Sequence, residues 1–154
     1  MPVLTHRISP VPNPTPFHPD GLVALGPRLA VQLEVPSALA KQLAATGARV
    51  PTPVTGTALI DTGATRSAID RTVVTRLGLN PVGLVTLGTA AGPIPQALYP
   101  VRLIIQQMNF PAEFESVTGC DLSGTDLIML IGRDVLRVSM SVYDGNSGQY
   151  SLAI

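Results

Sequence analysis

The sequence predicts a single, mainly β domain carrying one or two short helices. Three observations lead there. The 154 residues are enough for one domain and one core. Fifteen prolines and fourteen glycines divide the chain into short apolar runs, the punctuation of strands and turns. Within several runs apolar and polar residues alternate with a period of two, which marks half-buried strands.

The elements follow in order. Six prolines lie within residues 1–20 (Pro2, Pro10, Pro12, Pro14, Pro16 and Pro19), so this stretch is expected to be an extended arm outside the core, with the folded domain over 21–154. Leu29, Val31, Leu33 and Val35 alternate with polar or small residues and form a strand that Pro36 ends. Residues 37–47 are Ala-rich between Ser37, a helix N-cap, and Gly47, a stop, and predict a short helical insertion. A second strand runs through Thr57–Ile60 and breaks at Asp61-Thr62-Gly63. Ile69, Val73 and Leu77 recur at helical spacing, which predicts a helix over 67–77 capped by Ser67, with Gly78 beyond it. Leu84–Pro95 reads as a strand entering a flexible glycine-rich hairpin. Strands are expected around Val101–Ile105 and Ala112–Glu115. Leu127–Ile131 is continuously apolar and is expected to be a strand buried on both faces. A short helix over 132–138 and two strands around the turn 144–148 complete the chain.

Composition excludes several functions. Ten basic and ten acidic residues cancel, whereas a chain held on phosphate backbones needs a basic surplus, so nucleic acid is not an expected partner. No apolar run reaches the ~18 residues of a membrane span, and the first residues lack a signal-peptide core, so a cytoplasmic location is expected. One cysteine, Cys120, and two histidines are too few for a structural zinc site, and no metal or cofactor is expected. Cys120 lies in a polar stretch, and both histidines fall in the N-terminal arm, so a cysteine nucleophile with a histidine base is disfavoured. Nine arginines to one lysine, with abundant alanine, suggest a GC-rich bacterial genome.

The chemistry concentrates in two blocks. In Ala58–Thr65 an acid ends a strongly apolar strand and a glycine turn follows, so Asp61 is drawn away from bulk water while Gly63 lets another backbone approach. About seventy residues later Leu127–Ile131 runs into Gly132-Arg133-Asp134 and a helix. These blocks, in this order, resemble the retropepsin family, the retroviral-type aspartic proteases and their cellular and bacterial relatives, over roughly residues 22–154.

The resemblance implies a closed, retropepsin-like acid-protease β-barrel, active as a symmetric homodimer that hydrolyses peptide bonds in a polypeptide substrate without a cofactor. Asp61 resembles the catalytic aspartate. Thr62 resembles the residue whose hydroxyl bonds across the dimer, and Gly63 the one whose carbonyl meets substrate. Gly88, Thr89, Ala90, Ala91 and Gly92 fall where a mobile flap tip is expected. Ile128 and Leu130 match residues that wall the substrate pockets. Gly132, Arg133 and Asp134 match the block that supports the active-site loop, of which Ala64 is also part. The reaction needs two carboxyls sharing a proton, an effect for which aspartic proteases are the standing example. Only Asp61 here sits in an Asp-Thr-Gly frame, so a second copy of the chain is expected to supply the other carboxyl.

Two departures from the family pattern matter. Thr65 stands where viral members carry an Asp that pairs with the arginine of Gly-Arg-Asp, so Arg133 needs another acceptor. The insertion at 37–47 is absent from the compact viral enzymes. The alternative function is a retropepsin-fold dimerisation or binding domain with weak or no proteolysis.

Overall fold

Short β-prone runs separated by prolines and glycines build a mainly β molecule. The computed structural model describes residues 3–7, 20–89 and 92–154. Its elements are β1 (Val3–Arg7), α1 (Asp20–Leu25), β2 (Arg28–Glu34), α2 (Ser37–Ala45), β3 (Val54–Ile60), β4 (Ala68–Asp70), α3 (Arg71–Leu77), β5 (Gly83–Thr89), β6 (Gly92–Ile105), β7 (Phe110–Cys120), β8 (Leu127–Ile131), α4 (Arg133–Leu136), β9 (Met140–Asp144) and β10 (Gln149–Ala153).

The larger sheet has seven strands in the order β2-β3-β8-β4-β7-β6-β5, and β2 pairs with β6 as well. Pairing therefore runs from β2 through β3, β8, β4, β7 and β6 and returns to β2. The inward side chains of these strands, among them Leu29, Val31, Leu33, Leu103, Met129 and Ile131, make one core with almost no exposure. The central pairing is β3 with β8, which is parallel, with Ile60 opposite Ile131. It sets the ends of the two sequence blocks side by side.

A second sheet, β1-β10-β9, is antiparallel throughout. Residues 3–7, expected within an arm apart from the core, are thus a sheet strand, and Leu4 packs on the core. Val3–Arg7 carries no period-two alternation to mark it, and its partner β10 lies at the far end of the chain. Strand β9 is an edge whose five residues are all exposed, Met140 and Val142 among them.

Local chemistry explains the helix boundaries. The helix expected over 67–77 begins at Arg71, because Ala68–Asp70 pairs with β7 on one side and β8 on the other. Asp70 is the true N-cap and accepts the Thr72 N–H at 2.8 Å. Gly78 ends the helix in the left-handed conformation at φ 61°. Helix α2 forms where expected, but its Ser37 donates its hydroxyl to Glu113 of β7 instead of capping its own turn. Strand β8 is not buried on both faces: Leu127, Met129 and Ile131 are buried, while Ile128 and Leu130 are half-buried. Its second face is apolar for a different reason, given below.

Candidate active site

The site grows from the ends of β3 and β8. Beyond Ile60 the chain leaves the sheet, and the Asp61 N–H donates to the Ile131 carbonyl at 2.9 Å. The Asp61 carboxylate then closes its own turn: Oδ1 accepts the N–H groups of Gly63 at 2.9 Å and Ala64 at 3.2 Å. No side chain or backbone donor among the described residues reaches Oδ2. Asp61 is half-buried, while Thr62 and Gly63 are exposed. The arrangement is a carboxylate held rigidly through one oxygen, with the other free to act on a proton.

The loop after Asp61 is laced to the Gly132-Arg133-Asp134 block. The Arg133 N–H donates to the Ala64 carbonyl at 2.9 Å. Asp134 accepts the Ser67 N–H at 2.8 Å and its hydroxyl at 2.7 Å. The Gly132 N–H donates to Ser67 Oγ at 3.0 Å. Glycine is required at 132 for space, since a Cβ there would lie 2.5 Å from the Arg66 carbonyl carbon. Arg133, whose acceptor the sequence left open, donates Nη1 to the Thr62 carbonyl at 3.0 Å and Nη2 to Thr65 Oγ1 at 2.8 Å. Thr65 thus takes the arginine itself, as a neutral acceptor. Arg133 is exposed and not desolvated, so it braces the loop from outside.

A cleft of about 500 Å³ opens beside this loop. Gly63, Ala64 and Leu130 line its floor, and Val85, Leu87 and Gly88 of β5 face them from the hairpin. Thr89 and Gly92 pair at the end of that hairpin, and Ala90 and Ala91 lie outside the described residues. Leu130, on the outer face of β8, is therefore apolar because it lines the cleft. Ile128, on the same face, does not: it covers Gly56 of β3, where a Cβ would come within 2.9 Å of it.

Three participants were not anticipated from sequence. Ser67, expected as a helix cap, is fully buried and joins the loop to Gly132 and Asp134. Nothing in local periodicity marks it. Arg66 lines the cleft. Cys120, read as lying in a polar loop, ends β7 and lines the cleft too. Burial, with the nearby Asp70 carboxylate, pushes its thiol up to about 11, so it is not a nucleophile at neutral pH.

A family model described as aspartyl protease matches residues 47–135, a span that contains Ala58–Thr65 and Gly132-Arg133-Asp134. Among solved structures the chain is similar to a retropepsin-like aspartic protease from Rickettsia conorii, at 17% identity and TM-score 0.46 over 98% of each chain. It is also similar to the retroviral protease-like domain of Ddi1 from Leishmania major, at 17% identity and TM-score 0.36 over 77% of this chain and 78% of that one. No curated protein matches.

Proposed function

Because the chain belongs to the aspartyl protease family, we propose that it is an aspartic endopeptidase whose active site is completed by a second copy of itself. The observation that carries the proposal is Asp61: a carboxylate fixed through Oδ1 by the backbone N–H groups of Gly63 and Ala64, two residues that line the cleft. In a two-fold dimer Asp61 meets its symmetry mate, and like charges in contact hold one proton between them. The ionised carboxylate takes a proton from water as the water oxygen attacks the scissile carbonyl carbon. The protonated carboxyl gives its proton to the carbonyl oxygen. Collapse of the tetrahedral intermediate then breaks the C–N bond as the amine is protonated.

Other features support the same reading. Exposed Thr62 is free to contact a partner chain. The β9 edge, which has no second strand partner among the described residues, offers exposed Met140 and Val142 to a second β9. The β5–β6 hairpin acts as the flap, and Gly63 presents its carbonyl to an extended polypeptide. Gly132, Arg133 and Asp134 keep the loop in place for both copies.

The test is proteolysis of denatured casein and a peptide library at mildly acidic pH, with and without a statine-type inhibitor. Wild type is expected to cleave, and Asp61→Asn to lose at least a hundredfold while remaining folded and dimeric. Cleavage by Asp61→Asn at near wild-type rate would move the catalytic acid elsewhere. A folded wild-type dimer that cleaves nothing would favour the binding-domain alternative.

A further inference from the structure

Arg66 is exposed, and its guanidinium presents five donors in a planar fork that suits a carboxylate. The described ion pairs are Arg28 with Asp126, and Arg102 with Glu34 and Glu113. Arg66 is in none of them. Among the described residues its guanidinium makes one hydrogen bond, Nη1 to Ser116 Oγ at 3.2 Å. Arg66 lines the cleft beside Gly63, Ala64 and Leu130, and among the described lining residues it is the one that carries a charge.

The surroundings of Arg66 add to its charge. Thr65, Arg66, Arg133, Asp134 and Arg137 line a shallow depression next to the loop. It gathers three guanidinium groups against one carboxylate. That carboxylate is engaged already, since Asp134 accepts the Ser67 N–H, the Ser67 hydroxyl and the Val135 N–H. Among the described residues the Arg133 guanidinium bonds to the neutral oxygens of Thr62 and Thr65. On its other side Arg66 borders a depression that includes Glu113 and Glu115, neither within ion-pair distance of it.

We infer that Arg66 is a specificity-determining residue that selects substrates carrying a Glu or Asp side chain within a few residues of the scissile bond. This rests on the endopeptidase reading, because it places the substrate along Gly63 and Ala64. The chain would pass the free face of the Arg66 guanidinium, which presents a planar fork suited to a carboxylate. Two-fold symmetry would repeat the cation on the other side of the scissile bond. The other described lining residues are uncharged, so uncharged side chains are expected at the neighbouring substrate positions.

The experiment scans one good peptide substrate with Glu, Gln and Lys at each position around the cleaved bond, at pH 6, where Glu is ionised. At one position or its symmetry-related counterpart, kcat/KM for Glu should exceed that for Gln by about three- to tenfold, with Lys below both. The advantage should shrink in 0.5 M NaCl. Arg66→Gln should bring the Glu-to-Gln ratio to about one, and Arg66→Glu should favour Lys. A general loss of folding would lower all three peptides together and leave the ratio unmoved. Cleavage that depends on Asp61 but shows no Glu preference at any position overturns this inference and leaves the protease reading intact. If no peptide is cleaved, that reading fails, and fluorescence anisotropy of the same peptides decides the present one. Equal affinity for Glu and Gln forms then overturns it, and a preference for Glu lost in Arg66→Gln supports it.

Discussion

A methyl group at Gly132 would lie 2.5 Å from the Arg66 carbonyl carbon, 2.7 Å from its oxygen and 2.8 Å from the Ser67 nitrogen. All three atoms are backbone, so no side chain can rotate out of the way. Gly132→Ala must push the loop that carries Asp61 away from β8, or break the Gly132 N–H bond to Ser67. It is expected to cost about 3 kcal/mol and to reduce activity beyond what the loss of folded protein explains. Gly124→Ala is the control, because a Cβ there meets nothing within 4 Å. Urea unfolding of both variants checks this, and a Gly132→Ala cost below about 0.5 kcal/mol would mean that the loop is not tightly held. The same loop explains why Thr65 is tolerated where a carboxylate is expected: a hydroxyl at 2.8 Å satisfies Arg133 and leaves its charge uncompensated.

At the level of elements, the junction of β4 and α3 is held by one buried acid. Asp70 accepts the Thr72 N–H and hydroxyl through Oδ1, and the Leu122 N–H at 2.7 Å through Oδ2. Burial alone would raise its pKa, but the bonds from Thr72 and Leu122 outweigh it and hold the carboxyl below the ordinary aspartate range. A folded-state pKa below the unfolded one stabilises above the unfolded value, near 3.9, and is lost as pH falls through the folded one. Asp70→Ala should therefore cost about 2 kcal/mol at neutral pH, with the full penalty present above about pH 5 and declining below about pH 4. Unfolding curves of both proteins from pH 7 to 3 measure it. A penalty constant across that range would show that the ionised form is not what the junction holds.

At the scale of the whole molecule, the proposal requires two chains for each active site. Activity per chain should then fall on dilution, because dissociation separates the two Asp61 carboxyls. Excess Asp61→Asn chains should also suppress wild-type activity through inactive heterodimers. Steady-state rates on one peptide from micromolar to nanomolar enzyme, with sedimentation to count chains, test both. Proportional activity down to nanomolar concentration, without suppression after subunit exchange, would contradict the shared site.

The sequence by itself determined what depends on neighbours in the chain. Period-two alternation marks β2 and the end of β6, and glycine and proline mark the turns. The acid after an apolar strand and the Gly-Arg-Asp after another mark the two blocks, because each is a contiguous pattern of residue types. Only the tertiary structure decided what depends on pairing across the chain. Parallel pairing sets Ile60 opposite Ile131 and so brings Asp61 to Gly132. The β4–β7 and β4–β8 pairings turn Ser67 from a helix cap into the buried link between Gly132 and Asp134. Val3–Arg7 becomes a strand only because β10 lies beside it. The Arg133 acceptors, the cover of Ile128 over Gly56 and the unpaired Arg66 are likewise set by which surfaces meet. A hydrogen-bond partner seventy residues away imposes no periodicity on the residues around it, and so leaves no local trace.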